Sequence, residues 1–354
     1  MSCAWVLPAA TMAGWAPAAA PAPSRCAAVE LAVAGRAAFV EPDPGLAMRF
    51  ELPRARLGAG FAARWATANI RLGVVRSAGE GSYVGVNGEA FVPALESAEA
   101  ALVWAPAGLR VGLGAVPDLW VQPGDRAWGQ SALWAEMGDA LGWMDTADLG
   151  LRADWTGLEG RLAAAASVTT GEGVEFQERN EGKNLAATVA IAPFATTDTP
   201  RALVVELYAR DGSRGLGYAP DSRVGGRLAG ELPRLGYGTE LLAAWGVGGD
   251  GSREPIGASA WLRGHPVGPL LLVARVDGWS EDLARDSATS VSVLGAAGAE
   301  LPLGGANRAA VLLGARHSAI GSAVTTVAGA DTIDSGTTFF LQLDTVLNSG
   351  WQTP

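Results

Sequence analysis

The chain has 354 residues, a formal net charge of −10, 49% hydrophobic residues and 48 glycines. That acidity sets aside nucleic acid as the main partner, and no window holds the roughly 18 strongly apolar, uncharged residues of a membrane helix. Two ordinary domains or one large barrel fit the length, and the many glycines inside alternating runs lean towards a curved barrel wall.

Taken in order, residues 1–27 read as a signal-like or disordered leader, rich in Ala and Pro. Small residues at 19–22 suit an export segment, although Arg25 is the first basic residue. Cys3 and Cys26 are the only cysteines, and no paired spacing suggests a metal site or a disulfide framework. Alternation begins with Val29, Leu31, Val33 and Phe39 on one face against Glu30 and Arg36 on the other. Met48, Phe50 and Leu52 then oppose Arg49 and Glu51 as far as Pro53, where the phase flips. Beyond it Leu57, Phe61 and Trp65 oppose Arg54, Arg56 and Arg64. A one-residue slip turns every side chain over, so Pro53 marks a bulge or a strand end. Ile70 and Leu72 oppose Arg71, Leu102 and Trp104 oppose Glu99, and Val111 and Leu113 oppose Arg110.

The longest interruption, 117–144, is the third long connection and carries Trp120, Asp125, Arg126, Trp128, Trp134, Glu136 and Trp143. It is far longer than a hairpin needs, which marks it for a role of its own. A solvent-exposed loop has no reason to hold so many indoles, each forfeiting about 2 kcal/mol or more of burial. They are expected to pack inside a barrel mouth or against a neighbouring subunit, with Arg126 and Glu136 facing wall arginines across the narrowest point.

After the loop, Leu149, Leu151 and Trp155 oppose Asp148, Arg152 and Asp154. A tight turn follows, and then Leu162, Ala164 and Val168 oppose Arg161 and Ser167. The same grammar continues through Arg223, Arg227 and Arg275 to Leu347, giving about 16 strands in which short turns alternate with long loops. The fold class expected is all-β: a transmembrane, antiparallel, up-and-down β-barrel over 28–347, with 348–354 as a C-terminal tail. A soluble sandwich of this size would need a second, interior-style apolar face, which the alternation does not show.

Catalytic patterns are absent. His265 sits in a turn, and His317 and Ser318, being adjacent on a strand, point to opposite faces. Carboxylates such as Asp148 and Asp154 are abundant, yet nothing isolates an acid/base couple. No phosphate loop or Cys/His pattern is present, so neither enzyme activity, a cofactor nor a metal is expected. The informative charges are inward arginines, with Lys183 the only lysine. The expected pore lining is Arg36, Arg49, Arg54, Arg56, Arg71, Arg110, Arg152, Arg161, Arg223, Arg227 and Arg275. Inward arginines outnumber inward acids by about four, which in a low-dielectric passage concentrates anions; the alternative is that the charges pair across strands and keep the lumen wet.

Several stretches together resemble the phosphate-selective porin O and P type of outer-membrane porin: 50–56, the strand–turn–strand 102–114, 142–150, 184–193 and the closing 339–347. The resemblance implies a 16-stranded barrel in the bacterial outer membrane, usually a homotrimer, with the third long loop folded inside as the constriction. Two features depart from that family: lysine is almost absent, and Leu347 stands where the terminal aromatic residue is expected. The function expected is a water-filled channel for passive diffusion of small polar solutes, mildly favouring anions, with outer-membrane lipid around it. The alternatives are a plugged barrel serving as a structural anchor or adhesin, and a soluble secreted β-protein binding carbohydrate through exposed Trp residues.

Overall fold

The computed structural model describes residues 25–40, 47–77, 90–174, 181–194, 202–215, 217–247, 250–283, 289–304, 307–321 and 335–353; residues 1–24 of the expected leader, 1–27, lie outside them. The wall is one closed antiparallel barrel in which each strand pairs with its neighbours in sequence. Its strands are β1 (Arg25–Val40), β2 (Ala47–Ala63), β3 (Ala66–Ser77), β4 (Ala90–Trp104), β5 (Leu109–Pro117), β6 (Ala147–Gly157), β7 (Leu162–Thr169) and β8 (Asn184–Ile191). The circuit continues with β9 (Val204–Asp211), β10 (Ser222–Leu232), β11 (Leu235–Trp245), β12 (Ile256–Gly264), β13 (Leu270–Ser280), β14 (Ser290–Gly304), β15 (Asn307–Ala319) and β16 (Gly336–Thr353). Sixteen strands close without an edge, so every wall N–H and C=O can be satisfied where no water reaches.

Period-two alternation builds this wall directly. Along β13 exposed and buried residues alternate one by one, and Leu31, Leu57, Leu113, Leu151, Leu207, Leu241, Leu313 and Leu341 all stand exposed on the outer face. Such a belt suits hydrocarbon and is costly in water. The phase flip at Pro53 is a β-bulge inside a continuous β2: Ala34 pairs with Arg54 but Arg36 pairs with Glu51, so Leu52 and Pro53 together oppose Gly35. Proline has no N–H to give the ladder, and the extra residue turns Arg54 and Arg56 inward. A second bulge, between Arg71 and Leu72 on β3, inserts Glu96 on β4, whose carboxylate pairs with Arg56.

The ends of the chain differ from the expectation. β1 starts at Arg25 and pairs in register with β16 as far as Thr353, so 25–27 and 348–353 belong to the wall rather than to a leader and a tail. The pairing of these two strands closes the barrel along their whole length, and weakly apolar residues suffice because the backbone bonds carry it.

The interior also differs. Tyr208, Leu242, Trp261, Leu271, Val273, Leu294, Leu312 and Phe340 face inward and are buried, so the strands from β9 to β16 do carry an apolar inner face. It is covered by the long connection 118–146, not by a second sheet. With Trp120, Trp128 and Trp143 fully buried against it, those indoles are not displayed for carbohydrate.

Leu151→Arg, at mid-strand in β6 on the outer face, is expected to destabilise the barrel by about 2–4 kcal/mol. Denaturant unfolding in lipid vesicles measures it, and a variant as stable as the parent would place that face away from hydrocarbon.

Candidate functional site

The site is the connection 118–146, held inside the barrel. Its base is closed by the Asp118 N–H donating to Thr146 O at 3.0 Å. The Asp118 carboxylate then accepts the N–H groups of Trp120 and Val121 at 2.7 and 3.0 Å, opening α1 (Val121–Trp128). Gly129, at φ +71°, ends that helix in the left-handed region glycine enters without steric cost. Glu136 opens the short α2 (Met137–Ala140) by accepting the N–H of Asp139 at 3.1 Å, and its other oxygen accepts Trp120 Nε1 at 2.9 Å. Asp125 accepts the Glu136 N–H at 2.9 Å, tying the two helices together.

Arginines of the wall hold the loop by its carbonyls. Arg36 donates to Ala132 O and Leu133 O at 3.1 and 2.9 Å, and Arg223 to Trp143 O at 3.0 Å. Arg227 donates to Trp120 O at 3.1 Å, Arg275 to Ala135 O at 2.9 Å and Arg308 to Gly129 O at 3.3 Å. Three guanidinium groups also lie over loop indoles: Arg227 at 3.9 Å from the Trp120 ring, Arg316 at 4.2 Å from Trp134 and Arg275 at 5.5 Å from Trp128. Trp120 stacks obliquely on Tyr208 with centroids 5.6 Å apart, and Trp128 on Trp261 at 5.7 Å. The wall is thinned to receive these rings. A Cβ on Gly225 would come within 2.9 Å of the Trp120 ring, and one on Gly257 within 2.9 Å of Met137 Sδ.

The expected pore-lining arginines therefore divide into two groups. Arg36, Arg223, Arg227 and Arg275 hold the loop. The others line the opposite wall, from β2 to β6, mostly in pairs: Arg56 with Glu96, Arg71 with Glu30 at 3.3 Å, and Arg110 with Glu99 at 2.6 Å. Arg110 and Arg152 share Asp154, at 3.1 and 2.6 Å. Arg54 donates to Ser131 of the loop and has no carboxylate partner among the described residues; neither has Arg49, which is exposed. Arg161 is exposed beside the short turn 158–160, at the end of the barrel.

Within the loop, Arg126 lines the remaining space beside Arg152, whereas Glu136 is buried against Trp120 and within 4.0 Å of Arg227. The bonds it accepts from the Asp139 N–H and the Trp120 indole turn it away from the passage. Sequence reasoning missed Asp118, Tyr208 and the inward apolar residues as parts of the site. The available signal was the break in alternation, as in Leu270–Val273 or Phe339–Leu341, where both faces are apolar.

Burial raises the carboxyls of Asp118 and Asp125, and raises that of Glu136 more strongly, with Glu240 adding to it. Asp139 is pushed up to about 8, by burial first and by Asp125 and Asp145 after it. An acid with a raised folded-state pKa keeps its proton after the unfolded chain has lost it. Stability therefore falls as pH rises from the ordinary carboxylate range to about 8, and levels off above. Asp139→Asn is expected to flatten that decline in a series of thermal unfolding midpoints; an unchanged slope would assign it to other groups.

Arg227 is the sharper test. It donates to Glu206 at 2.7 Å and Glu240 at 2.9 Å, so Arg227→Ala strands buried carboxylates and frees the Trp120 ring. The expected cost is about 3–5 kcal/mol in unfolding experiments, with little rescue by Arg227→Lys, which lacks the planar fork.

No family model and no curated protein matches the chain. Solved structures match its fold, with low sequence identity. An anion-selective porin from Comamonas acidovorans is similar at TM-score 0.63 and 13% identity, covering 92% of this chain and 100% of that one. OmpF of Salmonella typhi, solved in complex with daunomycin, gives TM-score 0.62 and 10% identity over 91% of this chain and 97% of that chain. The trimer form of OmpT, an outer membrane protein of Vibrio cholerae, gives 0.57 and 11% over 92% and 100%. The fold is thus the closed barrel of outer-membrane porins.

Proposed function

We propose that this protein is a porin of the bacterial outer membrane, a water-filled channel for passive diffusion of small polar solutes with a mild preference for anions. The observation that carries this reading is the one-sided seating of the loop. It covers the apolar inner face from β9 to β16 and leaves, beside Arg152 and Asp154 of β6, Ala163 and Ala165 of β7 and Thr188 of β8, a space it does not fill. A wall that kept paired arginines and carboxylates under a sealed plug would bear their desolvation cost for no gain.

The anion preference rests on Arg49 and Arg54, which lack carboxylate partners among the described residues. Pairing of Arg56, Arg71, Arg110 and Arg152 with acids, and the scarcity of lysine, argue for a general preference rather than the phosphate selectivity of the O and P type porins. A homotrimer fits the exposed outer belt and the trimer form in which the similar Vibrio cholerae barrel was solved.

Single-channel recording in a planar bilayer tests the reading. Stepwise conductance is expected, with a reversal potential displaced towards that of chloride under a potassium chloride gradient. The Arg49→Glu, Arg54→Glu double variant is expected to move it to the cation side. Folded protein that gives no conductance steps would instead support the plugged anchor.

A further inference from the structure

On the open side of the loop lies a recess of about 920 Å³, counting the part that opens to the lumen. Leu119, Pro123 and Ala127 form one side of it, and Ala163, Ala165 and Ala229 of the wall form the other. The recess exists because β7 turns Ala163 and Ala165 inward at this level, where other strands carry long side chains. Arg126 and Arg152 stand at its rim.

The charges around it are unequal in what they can still bind. Asp154 is shared by Arg152, through Nε at 2.8 Å and Nη2 at 2.6 Å, and by Arg110 Nη1 at 3.1 Å. Glu206 is held by Arg227 at 2.7 Å and by Thr188 at 3.2 Å. Glu231, the third carboxylate of the recess, pairs with Arg263 at 3.1 Å, so all three are committed. Arg152 spends its third bond on Pro117 O at 3.0 Å, which leaves one N–H on each terminal nitrogen. A forked donor of that kind suits a carboxylate. Inorganic anions gain nothing from the apolar walls beside it, whereas an aryl or short alkyl group gains the burial of its surface.

The geometry points to a binding subsite for small organic anions with an apolar body, exemplified by aryl carboxylates. The body lies between Pro123 and Ala127 on the loop and Ala163 and Ala165 on the wall, and the carboxylate meets Arg152. This deepens the channel reading and rests on it, because the subsite would sit on the path of diffusion.

The probe is benzoate, with acetate as the charged control lacking the ring. Binding is measured by titration calorimetry on the full chain folded in detergent micelles, each sample checked for the heat-dependent gel shift of a closed barrel. Benzoate is expected to bind at least about tenfold more tightly than acetate, with Ala163→Leu and Arg152→Gln each weakening it by about tenfold. Equal affinity for benzoate and acetate, or unchanged benzoate affinity in the Ala163→Leu variant, would overturn the proposal. Photolabelling the unaltered chain with para-azidobenzoate does not depend on variants folding: label at 119–127 or 163–165 supports the site, and label confined elsewhere refutes it. Conductance without benzoate binding defeats this proposal alone. Benzoate binding without conductance defeats the channel reading and leaves the recess as a ligand site of a closed barrel.

Discussion

Arg227 donates to Glu206, Glu240 and the carbonyl of Trp120 while its plane rests 3.9 Å from the Trp120 ring. Only a flat, forked cation can serve two carboxylates, a carbonyl and an indole from one position. The same use recurs at Arg275, which donates to Asp277 and to Ala135 O and lies near Trp128, and in simpler form at Arg36 and Arg308. This accounts for the choice of basic residue. With 25 of the 26 basic residues being arginine, the chain has spent its cations on directional bonds that an ammonium group makes poorly.

The consequence is a barrel with two inner faces. From β9 round to β16 the interior resembles a soluble core, with Trp261, Leu271, Leu312 and Phe340 packed under the loop and arginines threaded between them. From β2 to β8 it is a wall of paired charges and small residues. The two halves need each other. The apolar half fixes the loop without relying on charge alone, and the loop so fixed gives the charged half a constant distance to act across.

The fold was legible because a membrane barrel writes its outer face into the sequence with period two, and because each strand pairs with the next in sequence. Pro53 shows how far local reasoning reaches: the phase flip was visible, and the pairing with Gly35 decides that it is a bulge. The site was legible only in outline. The loop with its indoles stood out, and so did the inward arginines, but alternation reports which way Arg227 and Arg152 point and nothing of what each meets. Glu136 illustrates the limit. Its charge marked it for the passage, whereas its place before α2 and beneath Trp120 buries it. Doubly apolar runs such as 270–273 held the missing information, because a strand apolar on both faces must cover something inside.

Order of assembly follows from where the loop's holders come from. Arg308 reaches Gly129 across 179 residues of chain, and Arg36 reaches Leu133 across 97. One sits on β15 and the other on β1, strands on either side of β16 and brought together only when the barrel closes. Contacts of such sequence separation come late, since loop-closure entropy must be met before they form. The holds of Arg36 and Arg308 on one loop therefore belong to the closed barrel, whereas Arg223, Arg227 and Arg275 reach the loop from β10 and β13 without needing the β1–β16 seam.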